Sequence, residues 1–202
     1  MKKKFLKNYN NMTSFVKFTL VACRAICYNA ATMEQFEIER KFLILRPSED
    51  YLRKYAEKTE IVQTYLCAEQ GKTERVRKRS DGKKTVYTHT VKTRLNAMRR
   101  IEDECEISAE EYEELLLRAD PERRPIVKQR WVLPYDGQRF EIDVFPFWQR
   151  QAYLELELSN ERQRIRFPSG IEVIREVTDD RRYTNASLAK EIPAEEAEGD
   201  KR

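Results

Sequence analysis

Apolar and charged residues alternate along most of this chain with a period of two. Around Phe36–Ile44 the alternation sets Glu37, Glu39 and Lys41 at i, i+2 and i+4. A strand turns successive side chains to opposite faces, so those three share one side. Read this way, the pattern predicts strands over about 34–45, 60–68, 73–80, 99–107, 124–135 and 153–159. Two more follow the turns at Asp81-Gly82 and Asp136-Gly137, making eight. Asp-Gly is a two-residue hairpin signal. The first turn would set Ser80 against Lys83, Arg77 against Val86 and Arg75 against Thr88. Paired residues share a face, so Arg75 and Arg77 lie on the side of Thr90 and Lys92. The second turn would set Arg130 against Asp143 and Val132 against Glu141. Lys128, Arg130, Glu141 and Asp143 then face one way.

Helical spacing is confined to short stretches. Pro47-Ser48 opens a helix to about Lys58 with Tyr51, Leu52, Tyr55 and Ala56 as its apolar stripe. Ser108 and Glu111 form a capping box ahead of Tyr112, Leu115, Leu116 and Ala119. A short helix is predicted from near Asn160 to before Pro168, and another after Tyr183.

Composition narrows the function. The chain has 202 residues, 37% of them charged, with a net charge of +4. That balance argues for neither a nucleic-acid nor a membrane partner. The 5 glycines build no GxGxxG or Walker loop. The single histidine, His89, has no support for a Ser-His-Asp or Cys-His site and reads as structural or surface. Cys23, Cys27, Cys67 and Cys105 form no CxxC pair and suit reduced thiols in a cytoplasm. Residues 1–32 are expected to be a leader, with Met33 as the native start. Its lysines and interrupted apolar run leave a degenerate signal or membrane-surface anchor as the alternative. Residues 33–190 are expected to form one domain, and an acidic, disordered tail to begin at Glu191.

The charged faces are nearly pure in sign: acids on the first, fifth and eighth strands, bases on the third. A sheet with a solvated outside would alternate similarly. The apolar helix stripes, however, need a surface to cover, and closure removes exposed edges. The expected fold is α+β, mainly β: an eight-stranded antiparallel closed β-barrel, or tunnel, with covering helices. Glu37, Glu39, Glu102, Glu104, Glu106, Glu141, Asp143, Glu155 and Glu157 would face inward. So would Lys41, Arg75, Arg77, Lys92, Lys128 and Arg130. Carboxylates offer hard donors for Mg²⁺ or Mn²⁺, and arginines engage phosphate bidentately. The implied ligand is a small molecule with a metal-bound chain of phosphates.

Glu37-x-Glu39-x-Lys41, Arg75-x-Arg77, Lys92, Lys128-x-Arg130, Glu141-Ile142-Asp143-Val144-Phe145, Glu155-Leu156-Glu157 and Tyr183-Thr184-Asn185 occur in that order. Over about residues 34–190 the chain resembles the CYTH superfamily, the triphosphate tunnel metalloenzymes. The resemblance implies that Glu37, Glu39, Glu155 and Glu157 hold Mg²⁺ or Mn²⁺, with Asp143 close by. It implies that Lys41, Arg75, Arg77, Lys92, Lys128 and Arg130 hold phosphates. Glu37, Glu39, Lys41 and Tyr65 would serve catalysis, Tyr65 near the reacting end. Lys190 falls roughly where some relatives bring a C-terminal basic group. The implied activity is a metal-dependent triphosphatase cleaving the terminal phosphate. No base-stacking platform is recognisable in the sequence, which favours inorganic tripolyphosphate over thiamine triphosphate or a nucleoside triphosphate. An adenylate cyclase and a non-catalytic polyphosphate-binding module are the alternatives.

Overall fold

The computed structural model describes residues 38–94, 100–160 and 162–196. The leader, Met33 and Glu37 lie outside the described residues. Nine strands form: β1 (Ile38–Leu45), β2 (Glu57–Leu66), β3 (Lys72–Ser80), β4 (Thr85–Arg94), β5 (Arg100–Ile107), β6 (Ile126–Tyr135), β7 (Gln138–Val144), β8 (Gln151–Leu158) and β9 (Val173–Glu176). The helices are α1 (Glu49–Tyr55), α2 (Ala109–Leu116) and α3 (Asn185–Leu188), the last preceded by a 3₁₀ turn at Arg181–Tyr183. All strands pair antiparallel in the order β5-β4-β3-β2-β6-β7-β8-β1-β9.

Two expectations need correction. The expected eight strands are nine, because β9 pairs with β1. Its sequence, Val-Ile-Arg-Glu, has two apolar residues followed by two charged ones and so carries no period-two signal. Hydrogen bonds also do not close the sheet: among the described residues no ladder joins β5 to β9. Even so, Glu102 and Glu104 of β5 line the same cavity as Glu39 and Lys41 of β1. The sheet therefore curls around that cavity from one end of its strand order to the other.

The two hairpins differ in an instructive way. Asp136 and Gly137 both have positive φ, 50° and 71°, as a two-residue turn of type I′ requires. Arg130 accordingly pairs with Asp143 and Val132 with Glu141, as the sequence predicts. In the first hairpin only Gly82 has positive φ. Asp81 instead accepts hydrogen bonds at Oδ1 from the backbone N–H groups of Lys83 and Lys84, both at 2.8 Å. The loop lengthens to Asp81–Lys84, and Ser80 pairs with Thr85, Arg77 with Thr88 and Arg75 with Thr90. The register is displaced by two residues, an even number, so the predicted faces survive.

The outward faces are apolar and covered. Phe42, Ile44, Trp131, Leu133, Phe140, Ile142, Leu154 and Leu156 pack with Leu52 of α1. Leu66 and Val76 pack with Tyr112 of α2, whose Ser108–Glu111 capping box is present on both sides. Gly170 allows Tyr51 of α1 to pack close, since a Cβ there would lie 2.1 Å from the Tyr51 ring. Tyr65, Ile126, Phe145, Trp148, Tyr153, Tyr183 and Leu188 form a second cluster that seats α3.

No helix forms between Asn160 and Pro168 among the described residues, contrary to expectation. Asn160 Oδ1 accepts from the Arg162 N–H, and Gln163 Oε1 accepts from the Ser159 N–H and hydroxyl. Such local side-chain bonds compete with helix formation. The chain from Glu191 to Glu196, expected to begin the tail, is seated instead. Trp148 Nε1 donates to the Pro193 carbonyl at 3.0 Å, and Arg175 Nη2 meets Glu196 Oε1 at 2.7 Å. Among the described residues, no helix is long and apolar enough to cross a membrane.

Candidate active site

Alternation delivers inward-facing side chains of β1 to β8, most of them charged, into a cavity of about 1810 Å³. β1 supplies Glu39 and Lys41, β2 Tyr65, β3 Arg75, Arg77 and Arg79, and β4 Lys92. Glu102 and Glu104, Lys128 and Arg130, Glu141, Glu155 and Glu157 complete the charged lining. All of these but Tyr65 and Arg79 are expected inward from the sequence, whereas Glu106, also expected inward, does not line the cavity. Of the site residues expected from the sequence, only Glu37 falls outside the described part of the chain, and Asp143 lies behind the lining, completely buried.

One half of the wall is electrically closed. Arg130 donates from Nε and Nη2 to the two carboxylate oxygens of Asp143, each at 2.7 Å, and from Nη2 to Glu155 Oε2 at 2.6 Å. It also pairs with Glu141, and Lys128 pairs with Asp143. Burial alone would raise the Asp143 carboxyl, but Lys128 and Arg130 outweigh it and hold the group below the usual carboxylate range. Lys41 Nζ lies 2.9 Å from Glu155 Oε1 and 3.7 Å from Glu39 Oε1.

The other half carries an excess of positive charge, although Lys92 Nζ pairs with Glu102 at 2.7 Å. Arg75 reaches Glu102 and Glu104 only at 3.7 and 3.8 Å. Arg77 has no carboxylate partner among the described residues; burial and the adjacent Arg75 push its guanidinium below its usual range. The Nε atoms of both arginines are buried without a hydrogen-bond partner. What holds them is Gln63, which is 1% exposed. Its Oε1 accepts from Arg75 Nη1 at 3.2 Å and Arg77 Nη2 at 3.3 Å, while its Nε2 donates to the Tyr65 hydroxyl at 3.0 Å. A neutral amide thus fixes two guanidinium groups and leaves their charge available for an anion.

Sequence reasoning passed over Gln63, although it stands two residues before Tyr65 and so on the same face. It also passed over Arg181, Ala186 and Ser187, which line the α3 end of the cavity beside Thr184 and Asn185 of the quoted Tyr183-Thr184-Asn185 stretch. Lys190 is exposed, and its carbonyl accepts from Arg124 Nη2. His89 points outward and contacts Glu74 at 2.9 Å.

Among the described residues no three His, Cys, Asp or Glu side chains converge as a ready metal site. The donor chemistry nonetheless fits a hard divalent cation. Glu39 stands opposite Glu157, and Glu155 opposite Glu141, all facing the cavity. Burial and the neighbouring Glu155 hold the Glu39 carboxyl above its usual range, the response of a carboxylate short of positive charge.

The site is thus a cavity enclosed by a curled antiparallel sheet and lined by carboxylates, lysines and arginines. No protein-family model and no curated protein matches the chain. The chain is 30% identical to the inorganic triphosphatase NE1496, whose solved structure matches 79% of this chain and 97% of that one with a TM-score of 0.56. The chain belongs to the CYTH superfamily, the triphosphate tunnel metalloenzymes. A further structure of NE1496, described as a hypothetical protein, matches at 30% identity over 78% of this chain and 100% of that one, TM-score 0.56. The PH1012 protein of Pyrococcus horikoshii OT3 matches at 23% identity over 62% of this chain and 80% of that one, TM-score 0.42.

Proposed function

We propose that this protein is a metal-dependent triphosphatase of the cytoplasm that hydrolyses the terminal phosphate of inorganic tripolyphosphate or a related triphosphate. Its working domain spans about residues 33–190, extended by the seated segment to Glu196. The observation that carries the reading is the Arg75–Gln63–Arg77 arrangement: two part-buried guanidinium groups, fixed by a neutral acceptor, face a cavity. An excess of desolvated positive charge is costly unless a ligand compensates it, and arginine's planar fork suits phosphate oxygens. NE1496, an inorganic triphosphatase, supports the choice of substrate.

In hydrolysis, a water oxygen bonds to the terminal phosphorus as the bridging P–O bond breaks, releasing orthophosphate and a diphosphate. Arg75, Arg77 and Lys92 bind the chain and stabilise the charge that gathers on the phosphates. Arg130 and Lys128, locked by Asp143, present fixed positive charge on the facing wall. Glu39, Glu155 and Glu157, with Glu37, are the residues that would hold Mg²⁺ or Mn²⁺. Such a cation, when bound, supplies neutralisation of phosphate charge and a more acidic water. The carboxylates orient that water, and no covalent nucleophile is required. Tyr65 closes the deep end, its hydroxyl held by Gln63.

The test is phosphate release by the purified protein from tripolyphosphate and ATP, with Mg²⁺, Mn²⁺ or a chelator. Metal-dependent orthophosphate release is expected. Pyrophosphate with cyclic nucleotide from ATP would favour the cyclase alternative. Binding without turnover would favour the binding module.

A further inference from the structure

The cavity has two ends, set by the antiparallel order. One end lies at the start of β3 and is bordered by α3 and the aromatic cluster around Tyr65 and Tyr183. The other lies at the β6–β7 turn, Asp136-Gly137. There the cavity runs into a groove of about 750 Å³ between α1 and the hairpin. Glu57, Val132, Gly137, Gln138 and Arg139 line both spaces, so the two adjoin at this rim. The groove itself is lined by Tyr55, Pro134 and Tyr135. Tyr55 is 51% exposed and Tyr135 44%, whereas most large aromatic side chains among the described residues are buried.

We propose that this groove is a subsite for a planar aromatic ring carried on an organic triphosphate, at the opposite end from the phosphate that is cleaved. The inference rests on the triphosphatase reading above. The family resemblance sets Tyr65 near the reacting end, and on that reading a phosphate chain held by Arg75 and Arg77 has its reacting end toward Tyr65. Whatever is esterified at its other end must leave toward the β6–β7 turn, where it meets the tyrosines. Exposed aromatic faces stack on heterocycles of any sequence or substituent. Arg139, two-thirds exposed and 3.1 Å from Glu141, presents a guanidinium plane at the same threshold. Tyr51, packed against Gly170 and 5.0 Å from Tyr55, seats the helix that carries this face. Inorganic tripolyphosphate would use the cavity alone and leave the groove unfilled.

The test is calorimetric binding of two probes to the full chain in Mg²⁺ buffer: inorganic tripolyphosphate and the β,γ-imido analogue of ATP. The Tyr55→Ala/Tyr135→Ala double variant is expected to bind the ATP analogue about 5- to 100-fold more weakly, the range of one lost stacking contact. Its affinity for tripolyphosphate should stay within about twofold. The Tyr55→Phe/Tyr135→Phe pair, which keeps the rings, should restore the analogue. Equal weakening of both probes, no weakening of either, or a wild type that takes up tripolyphosphate but not the analogue would each overturn the subsite. A wild type that shows the binding difference but releases no phosphate would instead overturn the enzymatic reading and leave the subsite standing.

Discussion

Arg130 and Asp143 face each other on β6 and β7, and two nitrogens of the guanidinium grip the two oxygens of the carboxylate at 2.7 Å each. With Lys128 also donating to it, Asp143 is saturated from within the protein. Such a carboxylate orients cations rather than reaching into the cavity.

Removing it should therefore unsettle the wall itself. Asp143→Ala would leave Lys128, 5% exposed, and Arg130 without their shared counter-charge. Breaking a buried pair from one side costs about 3–5 kcal/mol. Urea unfolding should show that loss whether or not Mg²⁺ is present. A loss below about 1 kcal/mol, the range of an exposed pair, would show that the network is not what stabilises this wall.

Gln63 offers a sharper test of the anion site. Gln63→Glu keeps the shape but sets a carboxylate where Arg75 and Arg77 now meet a neutral oxygen. The internal ion pair would compete with phosphate, so KM for tripolyphosphate should rise by about tenfold or more, the scale of one charge-assisted bond. Thermal stability should hold or increase. An unchanged KM would mean that these guanidinium groups do not bind substrate.

Neighbouring residues on β3 should behave oppositely. Arg77→Ala removes a fork facing the cavity and should weaken triphosphate binding at least tenfold. Lys78 is exposed on the other face, and Lys78→Ala should change steady-state kinetics less than twofold. Similar behaviour of the two variants would reverse the assigned faces.

Glu39→Gln preserves volume and removes one charge from the carboxylate wall. We expect metal-dependent phosphate release to be lost while the melting temperature is kept. Turnover at saturating Mg²⁺ and Mn²⁺ equal to that of the wild type would exclude Glu39 from the metal set.

Acid should release the C-terminal segment first. Hydrogen bonds from Arg182 and Arg175 hold Asp180 down at about 2, and Arg175 and Tyr183 hold Glu196 below its usual range. A depressed carboxyl contributes stability that is complete above its unfolded value near 4 and is lost as pH falls through its folded value. Between about pH 4 and 2, protonation should detach the segment that accepts the Trp148 indole N–H through Pro193. Trp148 emission, followed from pH 6 downward with a Trp131→Phe background, should shift in that window. A shift complete above pH 5 would assign it to another group.

Sequence periodicity carried the faces well and the edges poorly. Glu39, Arg75, Arg77, Lys128, Arg130 and Glu155 line the cavity as alternation requires, because a strand's side-chain period is insensitive to where the strand ends. β9 escaped because four residues are too few to show a period and its pairing partner, β1, lies far upstream. The loop after β8 misled because Asn160 and Gln163 spend their side chains on nearby backbone N–H groups instead of admitting a helix. Asp143 was readable as inward but not as sealed, since its partners come from register and rotamer rather than composition. The Tyr55–Tyr135 groove was unreadable for the same reason: its two walls are about eighty positions apart in the chain.

The Asp81–Lys84 loop, four residues where two were expected, has a bearing on how this architecture tolerates change in length. Sliding β3 against β4 by two residues exchanges partners but not faces, so Arg75 and Arg77 keep the cavity. A slide of β3 by one residue, with β4 held, would carry the arginines beneath α2 and bring Val76 into the path of the phosphates. Tips of these hairpins are thus free to grow or shrink in pairs, whereas odd steps must be absorbed by a bulge. Among descendants of one ancestral hairpin, parity of loop length, more than loop sequence, would mark those that kept their chemistry.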